Sequence, residues 1–450
     1  MEFSPLFFQI LKNWWWVLFP TIMWFPAKSL YLWWIRWEVF YKKQFKWILV
    51  EIKPPREILK PFSAMENVFS MLWGIIDTPN WRERWCGGEL PLGGGGWYSC
   101  EIASFGGEIH FYMRIPAFFR NALETAIYSQ YPEAEITQVE DYTKNVPRNI
   151  PNEKWDLYSE DYSLLKEDYY PIKTYSMFFE REAEERRLME EKRIDPINSL
   201  LEALSKLQPG EQIWFQIVCN PIVESIFPWI SKGRAAADRI AKRISSEKPK
   251  SILQSFQEAL ELLIKGQPAE KKPAEKPLEL VAPELRLTPG EREILHAIEN
   301  KIKKYGYQCW IRQIYLCKKD EPHSYGNYKL IREYLMSQFM AQHLNSFMYY
   351  GPTRTRIHYL FKDRRLYLRK RQQLRRYIER MPSLWPRTMT GEPLFPFGHA
   401  QGRKPGIRAT IVLNIEELAT IYHFPAKIVT PALAPIESKK AGPPPGLPTE

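Results

Sequence analysis

Apolar positions change period several times along the chain, and each change marks an element. From Trp14 to Ile35 the run WWWVLFPTIMWFPAKSLYLWWI is apolar almost throughout, 22 residues whose only charge is Lys28. At about 1.5 Å per helical residue it reaches across a hydrocarbon core of roughly 30 Å. Pro20 and Pro26 would kink a spanning helix, so a re-entrant or interfacial hairpin is the rival geometry. From Lys46 the pattern shortens. KWILVEIK predicts a strand over Lys46–Lys53, and Ala64–Ile76, with apolar residues at 65, 68, 69, 72, 73 and 76, predicts a helix. Trp97–Ser104 and Glu108–Ile115 predict two strands joined by Phe105-Gly106-Gly107, a tight hairpin in which glycines supply positive φ. Ile109, Phe111, Met113 and Ile115 fall on one face, with Glu108, His110, Tyr112 and Arg114 on the other. An amphipathic helix over Ala117–Gln130 and a strand over Ala134–Val139 complete a β-α-β-β-α-β order, the split βαβ or ferredoxin-like arrangement.

A second such module is predicted with long insertions. Residues 140–168 carry eight acidic and four basic side chains and read as a connector, after which Ile172–Glu180 predicts a strand. Asp195-Pro196 is an N-cap with Pro at the first helical position, so a helix follows over Ile197–Leu207, closed by Pro209-Gly210, and Ile213–Cys219 is an apolar strand. Ser231–Glu247 and Ser251–Lys265 are inserted helices, and Gln267–Pro283 is a Pro, Lys and Glu linker that cannot bury a core. Thr288-Pro289-Gly290-Glu291 starts a helix to Lys304; a strand over Tyr307–Leu316, a long helix over Leu330–Met348, a strand over Thr410–Asn414 and a helix over Glu416–Tyr422 follow. The expected fold is α+β, an N-terminal membrane helix or hairpin and then two ferredoxin-like modules. The divisions are 1–45 (anchor), 46–145 (first module), 146–170 (connector), 171–265 (start of the second module), 266–287 (linker), 288–425 (its remainder) and 426–450 (Pro-rich tail).

Composition changes this picture in three places. Of the 65 aromatic residues, Trp14, Trp15, Trp16, Trp24, Trp33, Trp34 and Trp37 cluster toward the ends of the N-terminal run, where membrane-interface rings are expected. Arg36, Lys42, Lys43 and Lys46 follow it, so the positive-inside rule places the bulk of the chain on the cytoplasmic side of the inner membrane. Five cysteines, an odd number without a CxxC, fit a reducing compartment. Finally, residues 352–387 hold twelve Lys or Arg against Asp363 and Glu379, a local balance of +10 in a chain whose formal net charge is +11. Leu360, Tyr367, Leu374 and Met381 recur every seven residues there, which predicts a helix carrying Arg364, Arg365, Arg369, Lys370, Arg371, Arg375 and Arg376 around a narrow apolar stripe. Such a helix suits DNA, an anionic lipid surface, or the acidic segments 133–168 and 180–191 of the chain itself.

Catalytic motifs are scarce. Gly93–Gly96 leads into a strand and lacks the Lys-Ser or Lys-Thr of a P-loop. The seven histidines form no HExxH, and Cys309 and Cys317, with seven residues between them, do not match zinc spacing. Glu108 and His110, on one strand face, are the best two-ligand pair for a metal-dependent nuclease, the enzyme alternative. No cofactor is implied.

Several motifs carry a resemblance: Trp81-Arg82-Glu83-Arg84-Trp85, Phe105-Gly106-Gly107-Glu108-Ile109-His110, Asp195-Pro196-Ile197-Asn198-Ser199-Leu200-Leu201, Leu207-Gln208-Pro209-Gly210-Glu211-Gln212 and the stretch from Leu413 to Pro425 (LNIEELATIYHFP). Together they resemble the N-terminal, membrane-proximal region of type IV secretion and conjugation ATPase-like proteins, over most of the chain after the anchor. In those proteins the last segment leads into a P-loop motor; here the Walker motifs are absent. The resemblance implies a non-catalytic, membrane-anchored platform of a DNA-transfer machine. Its partners would be the membrane, a P-loop ATPase on a separate chain or a missing domain, DNA, and further copies of itself, since such motors form hexamers. A membrane scaffold without a nucleic acid partner is the remaining alternative.

Overall fold

The computed structural model describes residues 46–55, 58, 61–75, 97–177, 195–224, 228–241, 287–324, 326–358, 361–380 and 410–426, with 12–14, 16, 19–20, 23–24 and 26–27 of the N-terminal segment. The Gly93–Gly96 tract, the charged run 181–193, the helix expected over 251–265, the linker 267–283 and the tail from 427 lie outside the described residues.

Local chemistry places the first elements where periodicity put them. β1 (Trp47–Lys53), α1 (Pro61–Trp73), β2 (Tyr98–Phe105), β3 (Glu108–Pro116), α2 (Arg120–Tyr128) and β4 (Glu135–Val139) follow in order. The β2–β3 turn is closed by Gly106 at φ +58° and Gly107 at φ +100°. A Cβ on Gly107 would stand 2.8 Å from the Ser205 carbonyl oxygen, so the turn needs glycine for space as well as for backbone angle. The strands lie β4-β1-β3-β2, every neighbouring pair antiparallel.

The second half repeats this plan. Its members are β5 (Trp155–Leu164), α3 (Pro196–Ser205), β6 (Glu211–Pro221) and, after α4 (Trp229–Ile240) and α5 (Pro289–Ile302), β7 (Gly306–Lys318). α6 (Leu330–Glu333), continued by a π-helical turn over Tyr334–Gln338, and β8 (Phe347–Tyr349) complete it. The order is β6-β7-β5-β8. Counted outward from the β2–β6 contact, both halves read second, third, first, fourth strand. β2 and β6 pair antiparallel from Tyr98↔Cys219 to Phe105↔Gln212, with Glu101↔Gln216 and Ile102↔Phe215 the two central pairs. The fold is thus α+β, with one antiparallel sheet of nine strands among the described residues; β9 (Ile411–Asn414) pairs with β7 beside its main path.

Two faces of this sheet are covered differently. The expected alternation in β3 holds: Ile109, Phe111, Met113 and Ile115 join the main core with Val68, Leu123, Leu200, Leu204 and Ile331 from the helices. α8 (Ile415–Ile421) packs into the same core through Leu418, Ala419 and Ile421, followed by Tyr422 and Phe424. Across the sheet a smaller core of Ala103, Tyr112, Tyr142, Trp214, Ile314 and Leu316 is closed by Leu374 and Tyr377 of α7 (Lys362–Glu379). The predicted N-caps are present, Asp195 accepting from the Ile197 N–H at 3.1 Å and Thr288 with Glu291 forming a capping box. The segment after α8 is clamped at both halves: Asp195 accepts from His423 at 2.7 Å and from the Ala426 N–H at 3.1 Å, and the Ile58 N–H donates to the Ala426 carbonyl at 2.8 Å.

Three expectations are corrected. The opening strand of the second half is β5, inside the stretch expected to be a connector; its Asp156, Glu160 and Asp161 disguised it as solvated chain, yet Glu160 and Asp161 are buried. Ile172–Glu180 is not that strand: Tyr175–Met177 is a 3-10 turn, and 178–180 lie outside the described residues. The helix expected over Leu330–Met348 ends early, and Phe347–Met348 belong to β8.

The N-terminal anchor also changes. Among the described residues no helix is long and apolar enough to cross a membrane, so a spanning helix is not supported. Trp and Tyr supply much of the Trp14–Ile35 run, and these rings favour an interface over hydrocarbon. Trp14, Trp16 and Trp24 are helical and 56%, 60% and 65% exposed, while Trp15, Trp33, Trp34 and Trp37 lie outside the described residues.

Candidate nucleic-acid interface

α7 is built as a helix locked at one end. Its last turns bury Leu374 and Tyr377 against Trp214, and Gln373 donates to the Thr353 carbonyl at 2.9 Å. Arg380 then leaves the helix at φ +54°, a left-handed cap without glycine. The strain is tolerated because the guanidinium is captured. Arg380 donates through Nε and Nη2 to Glu101 at 3.0 and 3.1 Å and through Nη1 to Asp141 at 2.6 Å. Arg312 of β7 donates to the Arg376 carbonyl at 2.9 Å, so a cation meets the carbonyl end of the helix dipole.

Glu101 is the hub of this lock. Fully buried at the centre of the β2–β6 pairing, it also accepts from Ser99 Oγ at 2.6 Å, Tyr142 Oη at 2.6 Å and Gln216 Nε2 at 2.9 Å. Burial pushes its carboxyl up, but the charge and hydrogen bonds of Arg380 outweigh that, with help from Ser99 and Tyr142, and hold it below the usual carboxylate range. Asp141 is held down by the same guanidinium against the same desolvation. Tyr142 and Tyr377 hydroxyls meet at 2.8 Å, which joins strand, loop and helix in one network.

The seven predicted cations do not form one patch. Arg364, Arg365, Arg371 and Arg375 are exposed, together with Lys362. Lys370 bonds Asp156 at 2.5 Å, Arg369 donates to the Arg354 carbonyl at 2.8 Å and Arg376 is buried. Arg354 itself bonds Glu160 at 2.7 Å, where Arg332 also converges. Asp141, Asp156 and Glu160 of the acidic stretch therefore neutralise three cations of the basic insertion. What remains outward is the first three turns, exposed at 361–365, 367, 368, 371 and 372, with Arg375 beyond.

Periodicity could not say which face of α7 meets the sheet, and it missed Arg380, Glu101, Asp141 and Arg312. The available signal was an acid, Glu101, in the middle of the apolar strand YSCEIASF. The Glu108 and His110 pair does not converge: Glu108 is exposed, whereas His110 Nδ1 lies 2.6 Å from Glu51 of β1. Among the described residues no group of three or more His, Cys, Asp or Glu is arranged to hold a metal ion. Cys100, Cys219, Cys309 and Cys317 are free and buried, and burial pushes the thiols of Cys219 and Cys309 up. Comparison with protein-family models, with curated proteins and with solved structures gives no match.

Proposed function

We propose that this chain is a non-catalytic platform of a DNA-handling machine of the type IV secretion or conjugation class, contacting nucleic acid through α7. One observation carries the reading. A buried ionic lock holds the C-terminal end of α7 on the sheet while Lys362, Arg364, Arg365, Arg371 and Arg375 stay in solvent. Helices that serve only to cover a core expose mixed charges; this one offers five outward cations against Asp363 at its tip. The machine class rests on the sequence resemblance, and the repeated element and strand order supports reading each half as a ferredoxin-like module. Exposed Trp14, Trp16 and Trp24 support a seat at a membrane interface, and the cytoplasmic motor ATPase as partner rests, like the machine class, on the sequence resemblance.

The test is DNA binding measured across a salt series, with vesicle sedimentation in the same buffers. Replacing Arg364, Arg365, Arg371 and Arg375 by Gln is expected to reduce the slope of log affinity against log salt by roughly 3 to 4, at about 0.9 for each phosphate no longer neutralised. An unchanged slope removes α7 from the reading, and absence of DNA binding by the intact chain removes the nucleic acid partner.

A further inference from the structure

The exposed part of α7 has a finer pattern than a basic surface. With about 100° of rotation per residue and Arg364 taken as zero, Arg371 and Arg375 fall within about 20° of it and form one row. Arg365 at roughly 100° and Lys362 at roughly 160° form a second. Between the rows stands a ridge without charge, Leu368 at about 40° and Gln372 at about 80°. Leu368 is 56% exposed, and Gln372 is exposed as well. Among the described residues, this apolar and amide ridge between two cation rows is left exposed.

We propose that the outward three turns of α7 enter the major groove of double-stranded DNA, the ridge facing base edges and the two rows meeting phosphates of the two strands. The inference rests on the nucleic-acid reading above and narrows its ligand. A helix of about 10–12 Å diameter fits the B-form major groove, roughly 12 Å wide, whose two walls are phosphate backbones. Two rows flanking a neutral ridge match two walls. A single strand has one backbone, and its bases need stacking platforms; Tyr367 lies off the ridge, and its hydroxyl accepts from Arg371 at 2.9 Å. The A-form major groove of duplex RNA is too narrow for side chains to read. On the ridge, the Gln372 amide offers a donor and an acceptor to an adenine edge, and Leu368 offers apolar contact to thymine methyl groups. The ionic lock at Arg380 gives the projecting turns a rigid base, which groove entry requires.

The experiment compares the intact chain on a short duplex DNA, on each of its single strands, on the matching duplex RNA and on phosphatidylserine-containing vesicles. Duplex DNA is expected to bind at least about tenfold more tightly than the single strands or the RNA. Gln372→Ala with Leu368→Ala is expected to weaken duplex binding about tenfold with the salt slope unchanged, since the same phosphates stay neutralised. Arg364→Gln with Arg371→Gln, and separately Lys362→Gln with Arg365→Gln, should each lower the slope by about 2. All these side chains are exposed, and unchanged melting of each variant verifies its fold. Equal affinity for single strands, a silent ridge variant, or a slope that responds to one row alone overturns groove entry and leaves the nucleic-acid reading standing. Binding to vesicles and to no nucleic acid overturns both.

Discussion

Glu101 accepts five hydrogen bonds from four residues in a site with no solvent exposure, two of them from Arg380. Removing one member of a buried ion pair strands its partner, which is worth more than the net contribution of the pair. Glu101→Gln is therefore expected to lower unfolding stability by about 3–5 kcal/mol in a denaturant titration, whereas Arg375→Gln on the exposed face stays within about 0.5 kcal/mol. The lock also sets an acid limit. Glu101 and Asp141 ionise more readily in the folded chain than in the unfolded one. Their contribution is complete above the ordinary carboxylate range, near pH 4, and is lost as pH falls from there through the lower folded values. A melting series should show a steep acid limb in the native chain and a shallower one in Glu101→Gln; identical limbs would place the acid-sensitive groups elsewhere.

At the scale of elements, what could be read from the sequence followed local chemistry. The hairpin was legible because Gly106 and Gly107 are needed where they stand, and the caps at Asp195 and Thr288 because their side chains bond neighbouring N–H groups. Gly107→Ala forces a side chain into φ +100° and against the Ser205 carbonyl, so it should cost more than about 1 kcal/mol, while alanine at Gly290, with nothing within 4 Å, should be tolerated. β5 was illegible for the opposite reason. Its acids face Lys370, Arg354, Arg332 and Arg312, which are remote in sequence, so the binary pattern looked polar where the structure is buried. The candidate site was legible to the same degree. Composition located the basic helix, but the division of its cations between solvent and lock depends on β5 and on Asp141, which no periodicity within 352–387 encodes.

For the whole molecule the β2–β6 pairing decides what is a folding unit. Eight register pairs join the halves, and Glu101 of β2 accepts a hydrogen bond from Gln216 of β6. Residues 46–145 alone would present the β2 edge, with Tyr98, Cys100 and Ile102, to solvent. That fragment is expected to aggregate or to show no cooperative melt, and the intact chain to unfold in one transition; a soluble, cooperatively melting fragment would establish the halves as independent domains.

The clamp on Ala426 has a mechanical corollary. Its N–H is held by Asp195, which caps α3 in the second half, and its carbonyl by Ile58, between β1 and α1 in the first. The chain thus passes position 426 through a two-point bearing, with β9 and α8 riveted to the core just before it. A load applied at position 426 would therefore be shared between the two halves of the sheet and not borne by one of them.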